Sequence, residues 1–440
     1  MSRSPFKHSG VPIYSEHLLT GEAAAGRRPA LRPRLRPSSR RVGLSRENFL
    51  LASRSSVDIL RHLSRITTPG REFIPQIDGL RFVAILTVIA FHVRIIGLFH
   101  LGYPQTEPAT DLVNQFIAAG HYGVMLFFVV SGFVLALPFA REHLALGKKI
   151  SLRDYFLRRL TRMEPPYVIH LALLFLLCVF VYHRLASHQV FYGEQGWLAY
   201  AVSHIGASLV YANGFIFHVH PYPNMVLWSL EIEVQFYLLA PLLAKIFLVQ
   251  PRWFRRGILF LIVAVAPFIA GKYSAHYFVW ASLLGNLHYF LAGFLLADFY
   301  LAGELRPAKK HLAWDAVFVF SVAAVAWINF HDAWNFLLPW ILLAGCVATF
   351  LGSAMSRVLG WPWLTTIGGM CYTIYLYHLL VISSMFRVTL PLQTHRLWLD
   401  LLIQFAVMLP VIIGVSAILF VLCERPFMRR DWPARFFRKK

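Results

Sequence analysis

The stretch IDGLRFVAILTVIAFHV, Ile77 to Val93, is apolar from Phe82 onward except for one imidazole, and it has the length of a bilayer crossing. Arg81 and His92 stand in it 11 residues apart. At 1.5 Å of rise and 3.6 residues per turn, that spacing is close to three turns. It puts both side chains on one face, about 16 Å apart along the axis. One group then sits near the membrane surface and the other near its middle. Ionisable groups in such a segment are costly and point to function. The bland alternative is that Arg81 snorkels to the headgroups while His92 hydrogen-bonds inside a bundle.

Composition extends this reading to the whole chain. Over 440 residues, 58% are hydrophobic and 15% aromatic, with a mean hydropathy of +0.57. That excludes a soluble globule and indicates an all-α integral membrane protein. Apolar runs of spanning length start near Leu80, Gly120, Pro165, Met225, Gly257, Tyr277, Ala313, Phe336, Thr365 and Leu397. A further apolar stretch, Trp197 to Phe217, is ambiguous. The formal charge of +21 is confined to flanks of hydrophobic runs, so it reports topology rather than nucleic-acid binding. If Trp197–Phe217 crossed, the basic loops PRWFRR (Pro251–Arg256) and RPAKK (Arg306–Lys310) would lie outside. If it does not cross, both lie inside with the basic ends of the chain. The expectation is therefore about ten spans with both termini cytoplasmic, in a bacterial inner (plasma) membrane.

Residues 1–72 carry the run RRPALRPRLRPSSRR (Arg27–Arg41), which cannot bury a core and reads as a disordered basic tail. A cleaved targeting peptide fits less well, because no apolar core follows Met1 closely. The transmembrane domain is expected over 73–428, with a second basic tail over 429–440. Cys178, Cys346, Cys371 and Cys423 show neither CxxC nor Cys/His spacing, so neither a disulfide framework nor a metal site is expected.

Several further segments hold polar groups at membrane depth. HYGVMLFFVVSGFVLALPF (His121–Phe139) places Ser131 and Gly132 amid large side chains, either for close helix packing or to leave room for a substrate. YFLRRLTRMEPPYVI (Tyr155–Ile169) clusters Arg158, Arg159 and Arg162, whose guanidinium forks suit phosphate, whether of lipid or of a soluble cofactor. WSLEIEVQFYLLAPLLAKIF (Trp228–Phe247) carries Glu231 and Glu233 about 200 degrees apart on a helix, which is no paired-carboxylate dyad. One carboxylate is expected to pair with His92 or an arginine and the other to reach the external interface. The alternative is a structural ion pair between helices. CYTIYLYHLLVISS (Cys371–Ser384) offers Tyr375 and His378 for a polar cavity or a hydrogen-bonded core. HVHPYPN holds His218 and His220 in an external loop.

Taken in order, IDGLRFVAILTVIAFH, FFVVSGFVLA, RRLTRMEPPY, WSLEIEVQFYLLAPLL, YTIYLYH and ERPF resemble the membrane-bound acyltransferase family 3, over about Pro75 to Arg430. Members of that family O-acylate sugars and other extracytoplasmic acceptors. The resemblance implies that Arg81 and His92 match the essential arginine and histidine, Glu233 the characteristic glutamate, and His378 the histidine of the ninth span. Glu231 and Cys371 depart from the small residues usual at their positions. The hydrolase-like domain that some relatives carry after the membrane part is not expected here.

The expected activity is transfer of an acyl group, in the simplest case acetyl, from cytoplasmic acyl-coenzyme A (acetyl-CoA) to a hydroxyl of a carbohydrate or glycolipid acceptor. No tightly bound cofactor and no nucleic-acid partner are expected. His92 serves as general base or acyl carrier, Glu233 orients it, and His378 completes the catalytic set. Arg81, Arg158, Arg159 and Arg162 bind donor phosphates, while Ser131, Trp228 and Tyr375 are candidate substrate contacts. A transporter or flippase for a lipid-linked or acidic small molecule is the competing class, since buried Arg, His and Glu also build transport pathways.

Overall fold

Among the described residues, ten helices are long and apolar enough to cross a membrane. The computed structural model describes residues 60, 62–66, 72–103, 112–184, 196–429 and 432, and no strand occurs among them. Of the tail expected over residues 1–72, positions 1–59, 61 and 67–71 lie outside the described residues, as do 430–431 and 433–440 of the second tail. The spanning helices are α1 (Pro75–His100), α2 (Gly123–His143), α3 (Leu152–Arg184), α4 (Trp228–Leu243), α5 (Arg252–Lys272), α6 (Leu283–Leu301), α7 (Leu312–Phe330), α8 (Leu338–Leu351), α9 (Cys371–Thr389) and α10 (Leu397–Leu419).

The ambiguous Trp197–Phe217 stretch is not among them. Its helix Gly196–Leu209 has 14 residues, about 21 Å at 1.5 Å per residue, short of a hydrocarbon core of about 30 Å, whereas the equally short α8 is extended by the helical turns of Asp332–Leu337 into a span of 20 residues. It ends where Tyr211 adopts φ 55°, before the short Asn213–Phe217 helix. Two boundaries differ from the sequence expectation. α3 begins at Leu152 rather than Pro165, with Pro165 and Pro166 inside it, so the arginine cluster lies on the helix and not in a loop before it. Proline is tolerated in membrane helices, where neighbouring groups satisfy the freed carbonyls. The ninth span begins at Cys371 rather than Thr365, because a separate helix, Pro362–Gly369, precedes it. A Cβ on Gly368 would strike the carbonyl of Asp78, so the glycine lets that helix lie against α1.

The centre of the bundle is the crossing of α2 and α6. Cβ atoms on Gly132 and Gly293 would collide with the carbonyls of Phe290 and Val129, so the backbones meet through the two glycines. The packing role expected of the Ser131-Gly132 pair therefore belongs to Gly132. α5 and α7 lie at the periphery, with little of either helix buried. Basic loops are tied down rather than merely solvated. Arg255 and Arg256, from PRWFRR, donate to Asp298 of α6 at 2.6 and 2.7 Å.

Residues 60 and 62–66 fall within the stretch expected to be a disordered tail, yet they are ordered against the bundle. Leu63 packs on the core, and Arg65 pairs with buried Asp78 at 2.9 Å. Leu60, Leu63 and Ile66 give this short segment an apolar character that the Arg/Pro run before it lacks.

Candidate active site

α1 passes two sets of cavities, one at each end. At the end where α1 begins, two cavities of about 100 Å³ each share Arg81, Arg159 and Arg162. One of them also takes Arg65 and Glu72, and the other takes Ser131, Glu233 and Tyr375. Towards the end where α1 finishes lies a cavity of about 690 Å³ whose lining includes His92, His220, Trp228, Trp280, Asp332 and Tyr375. Tyr375 and Val124 line both the larger cavity and the one holding Glu233, so the two systems approach each other beside His92. The expected common face of Arg81 and His92 thus resolves into one residue for each end.

The arginine end is organised by Asp78, a residue quoted with the first span but given no role from sequence. Its carboxylate is buried, accepts a hydrogen bond from Arg81 at 2.8 Å through Oδ1, and lies 2.9 Å from Arg65 in an ion pair through Oδ2. Burial pulls the Arg65 guanidinium down to about 10, which leaves it cationic at neutral pH. Arg159 lies over the rings of Tyr237 and Tyr155, at 5.3 and 6.0 Å. Arg162 approaches Glu424 at 3.9 Å. Arg158 is exposed and lines neither cavity, so the expected trio of arginines divides. The i, i+3 pair Arg159/Arg162 faces inward, and Arg158, one residue before Arg159 and so about 100 degrees round the helix, faces out.

Glu233 does not contact His92. Its Oε1 accepts from Ser131 Oγ at 2.5 Å, in the cavity shared with the arginines. The expected orientation of His92 by Glu233 is corrected accordingly, and Ser131 lies with the arginines rather than in the large cavity. Glu231 also departs from expectation, because it is buried rather than interfacial. It accepts the backbone N–H groups of Asn213 and Gly214 at 3.1 and 2.9 Å.

His92 instead meets His378. Nδ1 of His92 lies 2.8 Å from the carbonyl of Val88, and Nδ1 of His378 lies 2.8 Å from the carbonyl of Tyr375. A carbonyl only accepts, so Nδ1 carries the proton in both rings and each Nε2 keeps its lone pair. His378 Nε2 is 3.2 Å from His92 Nδ1 and takes a share of its proton. Nε2 of His92 is then the ring atom left for the cavity. Both histidines are buried, and His378 shows no solvent exposure. Tyr375 donates to the carbonyl of Val226 at 2.9 Å and contacts Ser229 Oγ at 2.6 Å, which fixes the partition between the cavities.

The larger cavity has a different chemistry. Trp228 and Trp280 stack with centroids 4.6 Å apart, and His220 meets Trp280 edge-on at 5.4 Å. Burial holds the His220 imidazole below the ordinary histidine range, hence neutral. Among the described residues no Lys or Arg lines this cavity, and Asp332 is its one carboxylate. Sequence inspection missed Trp280, Asp332 and Arg65, which stand in no motif. No group of three or more His, Cys, Asp or Glu able to hold a metal ion occurs among the described residues.

Residues 74–421 match the acyltransferase-domain family Acyl_transf_3. The chain belongs to acyltransferase family 3. A Staphylococcus aureus (strain COL) protein whose name includes the word O-acetyltransferase is 27% identical over 341 residues, covering 71% of this acyltransferase-family chain and 51% of its own. The O-acetyltransferase OatA of Staphylococcus aureus (strain NCTC 8325 / PS 47) is 26% identical over 352 residues, covering 72% of this chain and 52% of OatA. The acyltransferase chain therefore spans about half the length of the curated relatives it matches. No solved structure matches it.

Proposed function

We propose that this acyltransferase-family protein is an O-acetyltransferase of the plasma membrane. It takes the acetyl group of acetyl-CoA from the arginine end and delivers it to a hydroxyl of a carbohydrate or glycolipid in the large cavity. The observation that carries the proposal is the His92–His378 pair, beside the partition between a cationic cavity and an aromatic one that no Lys or Arg among the described residues lines. Arg81, Arg159 and Arg162 hold the phosphates of the donor, for which planar, permanently charged forks are suited. From Arg81 to His92 is about 16 Å along α1. An extended phosphopantetheine arm has that order of length, so the thioester reaches His92 while the phosphates stay at the arginines.

His92 Nε2 takes the proton of the acceptor hydroxyl as its oxygen attacks the thioester carbonyl. The C–S bond breaks, and the coenzyme A sulfur leaves with the proton returned by Nε2. His378 Nε2, facing His92 Nδ1, steadies the charge that develops on the ring. The stacked Trp228 and Trp280, with Asp332 and neutral His220 beside them, suit the mixed apolar and hydroxyl faces of an uncharged sugar.

The test is a reconstituted assay with purified protein, acetyl-CoA and neutral oligosaccharides, read by mass spectrometry for the acetyl increment. His92→Ala is expected to lower turnover roughly 100-fold to 10,000-fold while the protein stays folded. Undiminished transfer by His92→Ala would sink the assignment. Acceptor flux across the membrane without covalent change would favour transport instead.

A further inference from the structure

The segment just before the matched domain carries a donor-site residue of its own. We propose that Arg65 completes the phosphate-binding site for the coenzyme A donor, as a fourth guanidinium beside Arg81, Arg159 and Arg162. The proposal rests on the acyl-CoA reading given above and adds to it a residue that lies nine positions before the family match at residue 74.

Three observations carry it. Arg65 lines the same small cavity as Arg81, Arg159 and Arg162, whose lining includes one carboxylate, Glu72, at its rim. Glu72 is already held by Arg141 at 2.9 Å and Arg306 at 2.7 Å, so it is drawn away from the four cavity arginines. The Arg65 side chain is placed with some care. It pairs through Nη2 with Asp78 Oδ2, lies over the Phe73 ring at 5.8 Å and runs along Gly369, while Leu63 packs on the core behind it. Its Nε is buried and has no hydrogen-bond partner. A guanidinium has five N–H donors, and a buried donor left unpaired is unfavourable until something accepts from it.

Asp78 explains why the site is not simply a neutralised ion pair. Asp78 accepts a hydrogen bond from Arg81 and forms an ion pair with Arg65 through an oxygen that no hydrogen bond satisfies, so the two forks are held side by side with donors to spare. Arg162 meets Glu424 at the limit of ion-pair reach. For Arg159 no carboxylate within ion-pair distance is found among the described residues, and its contacts are the Tyr155 and Tyr237 rings. Four forks around a cavity of about 100 Å³ match phosphate oxygens, whereas the adenosine of coenzyme A would remain outside.

The experiment measures coenzyme A binding to the full chain in phosphatidylcholine nanodiscs. Wild type, Arg65→Ala and Arg65→Lys are compared, with pantetheine as the phosphate-free probe. Arg65→Ala is expected to weaken coenzyme A about tenfold or more, Arg65→Lys less, and neither should alter pantetheine binding. Equal coenzyme A affinity in wild type and Arg65→Ala overturns the proposal. So does an equal loss for pantetheine, which would make Arg65 a packing residue. Phosphatidylglycerol added to the nanodiscs separates the two sources of phosphate. If it displaces coenzyme A from wild type but not from Arg65→Ala, the site is a lipid-headgroup site and the proposal falls. A wild-type protein that binds no coenzyme A removes the donor reading itself, and the Arg65 proposal with it.

Discussion

An imidazole is a base only through a nitrogen that is not already donating. At His92 the Val88 carbonyl settles which nitrogen that is, and the pairing with His378 polarises the ring from behind. On the proposed mechanism His378 works through His92 and not on the substrate, so His378→Ala is expected to lower kcat by at least about tenfold while leaving the KM for acetyl-CoA nearly unchanged. Steady-state kinetics with acetyl-CoA varied will show it, and a rise in KM with kcat intact would contradict the positioning role. Both histidines were legible in the sequence as polar groups inside apolar runs. Their contact was not, since residues 286 apart meet only once α1 and α9 are known to be neighbours. The same gap left open whether Glu233 meets His92 or an arginine, and in the structure it accepts from Ser131 in the cavity that Arg81, Arg159 and Arg162 line. Helical angle had shown that Glu231 and Glu233 diverge, but not what each would meet.

At the scale of helices, glycine carries two separate meanings that hydropathy does not distinguish. Gly293 sits where α6 crosses α2, with the Val129 carbonyl and the Phe133 amide in the path of any Cβ. Gly414 in α10 has nothing within 4 Å of that position. Gly293→Leu must therefore push the two central helices apart and is expected to cost about 1–3 kcal/mol or more. Gly414→Ala should be neutral or stabilising by up to about 1 kcal/mol, from helix propensity alone. Thermal unfolding in detergent compares them, and equal midpoints for the two variants would contradict the crossing. The ten spans were readable because length and hydropathy suffice for them. The true start of α3 was not, since Pro165 and Pro166 look like a boundary in water but sit within a helix here.

At the scale of the whole molecule, Glu72 joins three parts of the chain that enter or leave the arginine end. It precedes α1, and it accepts from Arg141 at the end of α2 and from Arg306 after α6. Burial alone would push its carboxyl up, but hydrogen bonds from Tyr300, Arg306 and Arg141, with the Arg306 charge, outweigh this and hold it below the usual glutamate range. A depressed folded pKa means that the stabilisation is complete above the unfolded value of about 4.3. It is lost as pH falls through the lower folded value. Glu72→Gln should accordingly lower the unfolding midpoint at neutral pH, with the gap to wild type closing as pH drops below about 4. A gap that persists unchanged in acid would mean that the clasp acts by packing rather than by charge.

The two ends of the bundle also make opposite demands on solvent. On the proposed function, coenzyme A, a soluble polyanion, enters at the arginine end, and a surface sugar enters the large cavity from the other side. By the positive-inside rule the flanking charges lead one to expect the arginine end inside. Exposed positions at each end test this directly: Lys309 lies near Arg306, and Ser274 lines the large cavity. With the four native cysteines replaced, Ser274→Cys is expected to react with a membrane-impermeant maleimide in intact cells. Lys309→Cys should react only after permeabilisation. The reverse pattern would place the arginines outside, away from cytoplasmic coenzyme A, and would remove the basis for assigning the two cavities to donor and acceptor.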